Sequence, residues 1–246
     1  MQNKEYERMF AAEESLWWFR ALHLFLRRFL PSDQRSRQNL LVLDIGCGTG
    51  GLVQQWVAAG YHSVGLDVSS LALSFAKHRS HHDLVRGSAD NLPFRAAFDL
   101  VTCVDLLEVG SVDPQTVVTR ALRALKPGGY GLFVMAAHQW LLSEHDRAVN
   151  SVRRYTQHQM VNLFSQQGVK LIRATYLFFF LFPLVALRKL INPPSQLKKV
   201  ADSDVWVPSL IINEPLFALC WLEAQFLPFL SWPIGSSVLV LVRKNG

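Results

Sequence analysis

The stretch LVLDIGCGTGG, residues 41–51, decides the fold of this chain. An apolar run leads into a cluster of glycines, which is the pattern of a buried strand that turns sharply into a helix. From Gly46 to Gly51 the stretch matches G-x-G-x-x-G, the turn that places a pyrophosphate at a helix N-terminus. From Asp44 to Gly50 it matches a second arrangement, D-x-G-x-G-x-G. The loop alone leaves both registers open.

Composition limits the class of protein. The chain has 246 residues, of which 50% are hydrophobic and 18% charged, so it can bury a large core and is not disordered. The net charge of +6 favours anionic surroundings such as a membrane face, nucleic acid or a phosphorylated substrate. Basic residues are spread along the chain without a zinc or RNA-binding pattern, so we expect no nucleic-acid partner.

Cysteine usage and the first residues predict a cytoplasmic location. The three cysteines are odd in number, which is typical of a reducing compartment. The first ten residues, MQNKEYERMF, are charged and lack the apolar core of a signal peptide. The histidines His78, His81 and His82 follow a helix end among polar residues, without a cluster of carboxylates or cysteines, so no metal site is predicted.

Strand-like and helix-like segments alternate through most of the chain. This alternation predicts a parallel sheet with helices on both faces, formed by residues 39–176 and 236–246 of a single domain. Strands are predicted at 39–45, 62–68, 83–89, 98–105, 130–137, 170–178 and 236–242. Two regions lie outside this plan: an aromatic-rich N-terminal helical element within 1–38 and an apolar insertion at 177–235.

Acidic residues at three strand ends separate the two registers of the loop. Asp44 comes just before the first glycine, where it would repel a pyrophosphate but suit a ligand with an ammonium and a sulfonium group. Asp67 follows the second strand and can accept from ribose hydroxyls with either ligand. Asp90 follows the third strand and can accept from an adenine amino group, with Leu92 packed on the ring. Asp44 therefore favours the second register.

Five ordered segments extend the pattern over residues 39–137. They are LDIGCGTGG, GLDVS, GSADNLPF, FDLVTCVDLLE and LRALKPGGYGLFVMA. In this order and spacing the chain resembles the class I S-adenosylmethionine-dependent methyltransferases. The resemblance implies a Rossmann-like, seven-stranded, mostly parallel, doubly wound sheet, with S-adenosyl-L-methionine as the cofactor.

The resemblance also implies a set of cofactor contacts. The glycine loop would hold the amino-acid end, the second strand end the ribose, and the segment after the third strand the adenine. The implied contact residues are Asp44, Gly46, Cys47, Gly48, Asp67, Val68, Ala89, Asp90 and Cys103. For Gly46 and Gly48, the alternative is a tight turn without a ligand.

A narrower resemblance is to a bacterial subgroup of these enzymes with E-x-x-x-W-W-F and H-D-…-R-R-Y elements, here at 13–20 and 144–156. Trp17 and Trp18 in the first element are candidates to close over the cofactor, because an indole face suits a cationic sulfonium, and Arg20 is a candidate partner for the cofactor carboxylate. The alternative is that the tryptophans form the buried face of an amphipathic helix. The chain departs from the subgroup at Val109, where a histidine is usual, and before the Arg-Arg-Tyr element. Both departures put histidine-based deprotonation in doubt.

Methyl transfer from a sulfonium needs alignment and exclusion of water, and a base only when the acceptor arrives protonated. The candidates for catalytic residues are His145, Asp146 and Tyr155, with His138 a further candidate base. Asp146 can instead pair with Arg153 or Arg154 and fix its loop, and these arginines can also bind an anionic acceptor.

The insertion contains a 12-residue apolar run at 176–187, divided by Pro183, which is too short for a spanning helix. Three readings remain open: a lid for a lipid or polyprenyl-like acceptor, a membrane-surface contact, and an ordinary core or dimer interface. In the second reading, anionic headgroups would meet the basic residues Arg188, Lys189, Lys198 and Lys199.

The sequence therefore predicts methyl transfer from S-adenosylmethionine to a small or lipid-linked acceptor, with oxygen as the favoured nucleophile. The expected protein is cytoplasmic, with a peripheral membrane contact as a further hypothesis. The alternatives are an NAD(P)-dependent oxidoreductase and a non-catalytic interaction subunit with the same fold. The sequence does not indicate the acceptor or the oligomeric state.

Overall fold

In a computed structural model, residues 3–30, 40–79, 83–191 and 208–246 are described. Seven strands within them form one sheet: β1 Leu41–Ile45, β2 His62–Asp67, β3 Asp83–Arg86, β4 Phe98–Val104, β5 Leu125–Ala136, β6 Val169–Leu177 and β7 Ser237–Lys244. The strand order is β3-β2-β1-β4-β5-β7-β6. Strands β1 to β5 pair in parallel, while β7 runs antiparallel to both neighbours. The predicted Rossmann-like, mostly parallel sheet is confirmed.

Helices cover both faces of this sheet. They are α1 Asn3–Ala12, α2 Trp17–Phe29, α3 Gly51–Ala58, α4 Ser70–Arg79, α5 Pro114–Ala124, α6 Glu144–Ala148, α7 Gln157–Asn162, α8 Phe182–Ile191 and α9 Leu210–Phe226. The N-terminal region is thus a helix pair in the described residues. One buried cluster packs side chains of α5 against the sheet, and a second joins α2, α3 and α9 to the opposite face.

Two boundaries differ from the predicted ones. Helix α5 ends at Ala124, and β5 begins at Leu125. Leu125 pairs with Phe98 across the sheet, so the segment KPGG continues the strand through a register shift instead of separating it from the helix. Strand β3 ends at Arg86, earlier than the predicted residue 89.

The insertion lies between β6 and β7 and supplies α8 and α9. Helix α9 begins at Leu210, so Asn213 lies in its first turn. The Asn213 side chain accepts from the Trp17 N–H at 2.9 Å and donates to the Ser15 carbonyl at 2.9 Å. These bonds tie the insertion to the N-terminal helix pair. Lys198 and Lys199 lie outside the described residues.

Candidate active site

The glycine loop lies at the carboxyl ends of β1, β2 and β4. Strand order reverses between β1 and β4, and open α/β sheets bind ligands in the crevice at such a point. Gly46 and Gly48 have φ values of +77° and +53°, in the left-handed region that favours glycine. The N–H groups of Gly46 and Cys47 both donate to the Leu66 carbonyl, at 2.7 and 3.0 Å. These bonds fix the loop against the end of β2.

Two carboxyl groups flank the loop. Asp44 is buried and accepts from the Thr102 hydroxyl at 2.7 Å. Burial raises the pKa of Asp44 to about 7, although the Thr102 hydrogen bond opposes the shift and the charges of Glu13 and Asp67 add to it. Asp67 accepts from the N–H of Gly48 at 3.0 Å and from the N–H of Ser69 at 2.8 Å. The site therefore concentrates negative charge beside the glycines.

The predicted adenine side lies on the same edge of the sheet. Val68 follows Asp67 and is 67% exposed, which leaves an apolar surface beside the loop. Ala89 and Asp90 lie in a single 3-10 turn that follows β3, and both are half-buried. Cys103 is buried in β4 and pairs in register with Ile45. The structure thus brings these predicted residues to the carboxyl edge that also carries Asp44 and the glycines.

Trp18 and Arg20 have contacts elsewhere. The Trp18 ring stacks on Phe178, with ring centroids 6.0 Å apart. The Arg20 guanidinium forms an ion pair with Glu214 at 2.6 Å and lies 4.0 Å from the Phe217 ring centroid. Their predicted contacts with the cofactor stay predictions that this placement does not favour, because α2 turns both side chains toward the insertion. For Trp18, the alternative of a packed amphipathic helix describes the observed contacts.

Glu13 is a residue of the site that sequence reasoning missed. Its carboxyl group is buried and accepts from the Thr49 hydroxyl, with 2.5 Å between the oxygens. The Gly51 N–H at the start of α3 also donates to it. Burial raises the pKa of Glu13 to about 7, against the opposing effects of Thr49, Arg79 and Gly51. The available signal was its place as the first residue of the E-x-x-x-W-W-F element.

Arg79 connects this carboxyl to the N-terminal helix pair. Its guanidinium lies 3.1 Å from Glu13 and 2.6 Å from Glu14, and it donates to the Thr49 carbonyl at 3.0 Å. It also donates to the carbonyl of Phe10 in α1. Met9 covers the loop itself, because a Cβ added to Gly48 would lie 2.6 Å from the Met9 methyl. Helix α1 is therefore held directly over the glycines.

The loop after β5 holds the predicted catalytic residues. Asp146 forms a capping box with Ser143 and binds Arg154 through two contacts, at 2.9 and 3.1 Å. Burial raises the pKa of Asp146, but the bonds from Arg154 and Ser143 outweigh it and hold the pKa below its usual value. Arg153 instead donates to the carbonyls of Leu107 and Val112. Asp146 therefore pairs with Arg154 and fixes its own loop, which is the alternative that the sequence also allowed.

The remaining candidates occupy different environments. The Tyr155 hydroxyl donates to the Leu107 carbonyl at 2.8 Å, and burial raises the pKa of this phenol. His145 is half-buried on α6. His138 stacks on Tyr176 with centroids 5.0 Å apart, and burial lowers its pKa. Like Asp146, Tyr155 uses its polar atom to fix backbone, so a catalytic role for either stays a prediction that these contacts do not favour.

Comparison with known proteins fits this geometry. Residues 43–134 match the model of a methyltransferase domain family. This match agrees with the family that the sequence motifs resemble. The chain is also similar to a ubiquinone biosynthesis O-methyltransferase from Hydrogenovibrio crunogenus, with 30% identity over 131 residues. That match covers 48% of this chain and 54% of the relative. The chain spans about half the length of the curated relatives it matches.

Solved structures share the fold of the methyltransferase domain. An S-adenosylmethionine-dependent methyltransferase of Thermotoga maritima aligns with a TM-score of 0.59 and 19% identity, over 98% of this chain and 96% of the other. Phosphoethanolamine N-methyltransferase 2 of Haemonchus contortus, in complex with S-adenosyl-L-methionine, aligns with a TM-score of 0.58 and 21% identity. This second alignment covers 93% of this chain and 53% of the other.

The residues at the carboxyl edge fit S-adenosylmethionine. Two acids with raised pKa values, Asp44 and Glu13, lie beside Asp67 at a loop whose glycines allow close approach. A cationic ammonium or sulfonium group relieves the mutual repulsion of such acids, whereas a pyrophosphate would increase it. With this cofactor bound, Asp44, Gly46 and Gly48 would hold the amino-acid end and Asp67 the ribose, as the resemblance implies.

Proposed function

We propose that this protein transfers a methyl group from S-adenosylmethionine to a hydroxyl oxygen of an apolar small-molecule or lipid-linked acceptor. The three acids beside the glycine loop, Asp44, Asp67 and Glu13, carry the proposal. Their negative charge suits a cationic cofactor and not a dinucleotide. When bound, S-adenosylmethionine supplies a methyl group on a positively charged sulfur. Several curated relatives are ubiquinone biosynthesis O-methyltransferases, and this name supports oxygen as the acceptor atom.

The N-terminal helix pair is the proposed lid of the site. Met9 lies over Gly48, and Arg79 joins Glu13, Glu14 and the backbone of α1 to the loop. A lid in this position excludes water from the reacting atoms, which favours displacement at the methyl carbon over side reactions. Exchange of the cofactor then requires α1 to move.

The insertion is the proposed contact with a membrane surface. The apolar face, as we name it, consists of exposed side chains of α8, α9 and the residues that follow: Leu184, Leu187, Leu190, Ile191, Leu210, Ile211, Ile212, Leu219, Trp221, Leu222, Phe226, Phe229 and Leu230. Large apolar side chains exposed in this number within one segment of a chain are typical of interaction sites. No helix in the described parts of the chain is both long and apolar enough to cross a bilayer.

Basic residues beside the apolar face favour an anionic lipid surface as its occupant. Arg28 donates to Gln225 of α9 at 2.9 Å, so the basic end of α2 adjoins the insertion. Arg27 is exposed on the same helix, and Arg188 is exposed on α8. Arginines at the rim of an apolar helix face bind anionic headgroups while the apolar side chains enter the bilayer.

Calorimetric titration with S-adenosylhomocysteine and with NADH tests the cofactor. Binding of the first and not the second is expected, and the reverse result would indicate an oxidoreductase. Incubation with methyl-tritiated S-adenosylmethionine and a short-chain prenylated catechol tests the reaction, with tritium expected in the organic phase as a methyl ether. If S-adenosylhomocysteine binds but neither catechols nor extracted bacterial lipids become labelled, the proposed transfer to oxygen fails.

Co-sedimentation with vesicles of phosphatidylglycerol and phosphatidylcholine tests the membrane contact. Wild type is expected in the pellet at low salt, and Ile211→Glu in the supernatant. Ile172→Glu is the matched control, because Ile172 is also exposed but lies on β6 outside the insertion. A wild-type protein that stays in the supernatant and forms a dimer dissociated by Ile211→Glu would assign the face to a second copy of the chain.

A further inference from the structure

A pair of carboxyl groups follows β4 and is unused by the cofactor contacts above. Asp105 lies directly after the strand, and its side chain is hydrogen-bonded to that of Glu108. Asp105 is half-buried, whereas Glu108 is only 4% exposed. The backbone N–H of Ala136 donates to the Glu108 carboxyl group, whose Oε2 is buried without a hydrogen-bond partner among the described residues. Asp105 is therefore the more exposed acid of the pair.

The backbone holds this pair in a fixed position. Asp105 has a φ of +47°, an uncommon conformation for a residue other than glycine, and its N–H donates to the Val134 carbonyl at 2.9 Å. The Glu108 carbonyl accepts from the Val152 N–H at 2.9 Å. A non-glycine residue kept at positive φ by surrounding bonds is a frequent feature of functional sites.

The pair also lies beside the cofactor loop. Cys103 pairs in register with Ile45, so Asp105 is level with the residues that begin the glycine loop. The side chain of Leu106 packs against Gly46, where an added Cβ would lie 3.1 Å away. Asp105 is thus next in sequence to a residue that contacts the loop.

We propose that Asp105 is the catalytic base that takes the proton from the acceptor hydroxyl, and that Glu108 is a positioning residue that holds the Asp105 carboxylate. The role rests on the proposed function, since only a protonated acceptor needs a base. The acceptor O–H bond breaks, with the proton going to the Asp105 carboxylate and the electron pair remaining on oxygen. That pair forms the new bond to the methyl carbon as the carbon–sulfur bond breaks, and the sulfur keeps its bonding electrons. Asp105 then returns the proton to solvent.

The charges around the pair make a shared proton favourable. Burial raises the pKa of Asp105 to about 6, opposed by the Glu108 hydrogen bond and the Arg154 guanidinium. Burial and the charge of Asp105 raise the pKa of Glu108 well above its usual value. At neutral pH Glu108 therefore holds the proton and donates to an ionised Asp105. The other titratable groups facing the pair are Asp146 on α6, Cys103 on β4 and Tyr155 after the loop.

The test compares Asp105→Asn and Glu108→Gln with wild type on two acceptors. For a plain catechol, Asp105→Asn is expected to lower kcat by about 100-fold or more, with a smaller loss for Glu108→Gln. For a nitrocatechol that is already ionised at pH 8, the loss in Asp105→Asn should shrink to less than about tenfold, because no proton remains to be removed. Affinity for S-adenosylhomocysteine should stay within about twofold in both variants.

The pH profile separates a base from a structural residue. Wild-type kcat on catechol should fall below about pH 6, and this acidic limb should vanish in Asp105→Asn but persist in His138→Asn, a variant of the competing base. Equal losses on both acceptors, an acidic limb that disappears with His138, or a rate that depends on added Mg²⁺ through both carboxyl groups would each overturn the proposal.

A measurement without turnover keeps the proposal separate from the proposed function. Carbon-13 titration of labelled aspartates should show one carboxyl group near pH 6 that is missing from Asp105→Asn. If the Asp105 carboxyl titrates below pH 4.5, the proposed proton sharing between Asp105 and Glu108 is wrong, and this result needs no known acceptor. A wild type that binds S-adenosylhomocysteine and shows the titration but labels no hydroxyl would refute the oxygen-directed function while leaving the carboxyl pair in place.

Discussion

The glycine loop and the insertion differ in which side chains they expose: polar groups have fixed partners at the loop, and apolar groups face solvent on the insertion. At the loop, the acidic side chains have specific partners: buried Asp44 has the Thr102 hydroxyl, and half-buried Asp67 has two backbone N–H groups. On the outer side of the insertion, large apolar side chains face solvent, with Ile211 86% exposed and Phe229 80% exposed. A fixed set of polar partners suits one small ligand, whereas an exposed apolar surface suits any partner that removes it from water.

The inner side of the insertion, which packs on the rest of the molecule, carries buried polar residues. Asn213 and Glu223 are buried polar residues on the inner side of α9. Asn213 binds the backbone at Ser15 and Trp17, and Glu223 accepts from the Phe180 N–H at 3.3 Å. Directional bonds therefore face inward and apolar surface faces outward in the same helix. Helix α9 is seated with a defined orientation while its outer face stays adaptable.

The largest expected effect is a loss of cofactor affinity in a variant of the glycine-loop region, with no such loss in a variant of the insertion. Asp67→Ala removes a carboxylate that orders the Gly48 and Ser69 N–H groups and is placed for the ribose, so affinity for S-adenosylhomocysteine should fall about 100-fold by calorimetry. Asp83→Ala, at the opposite end of the sheet, and Ile211→Glu on the apolar face should each change it by less than about twofold. Equal losses of S-adenosylhomocysteine affinity in all three variants would show that the cofactor does not depend specifically on Asp67.

A pH dependence of stability should originate at the loop. A carboxyl group whose pKa is about 7 in the folded state and 4.5 in the reference state binds more protons when folded, so stability falls as pH rises between these values. Between pH 5 and 8, wild type should lose about 3 kcal/mol of unfolding free energy relative to Glu13→Gln, as measured by chemical denaturation. The comparison with the variant is needed because buried His23, whose pKa is lowered to about 4, acts in the opposite direction. Parallel curves for the two proteins would contradict the raised pKa.

The inner side of the insertion should respond in stability and not in cofactor affinity. Glu223→Ala leaves the backbone N–H groups at Phe178–Phe180 without their acceptor and should lower the unfolding free energy by about 2 kcal/mol. Glu223→Gln keeps an acceptor oxygen and serves as the matched control, with most of the stability restored. An unchanged midpoint in Glu223→Ala, or a loss of cofactor affinity without loss of stability, would show that Glu223 does not seat the insertion.

The smallest expected effect concerns Arg20. Its ion pair with Glu214 is partly exposed, so Arg20→Met should change the unfolding free energy by less than about 1 kcal/mol and leave S-adenosylhomocysteine affinity within about twofold. Arg28→Met provides a comparison on the same helix. A tenfold loss of affinity specific to Arg20→Met would restore its predicted contact with the cofactor carboxylate.

The sequence predicts the sheet and the cofactor edge well because both are encoded locally. Strand ends, glycines and acids such as Asp44 and Asp67 occur within short segments whose order fixes the parallel sheet. Contacts between distant segments are not encoded this way. Glu13 meets Thr49 across 36 positions, and Arg20 meets Glu214 across 194. Glu13 and Thr49 lie in turns, and Arg20 and Glu214 lie in helices, so no local pattern indicates which residue each will meet.

The register of β6 and β7 has a consequence for how this fold can change. Leu177 and Ser237, the residues that bracket the insertion, stand directly opposite each other in an antiparallel pair. A tight hairpin turn would satisfy the same two ends, and lengthening a loop between fixed ends costs entropy only slowly. The segment between these two residues can therefore change in length or be replaced while the five parallel strands keep their register.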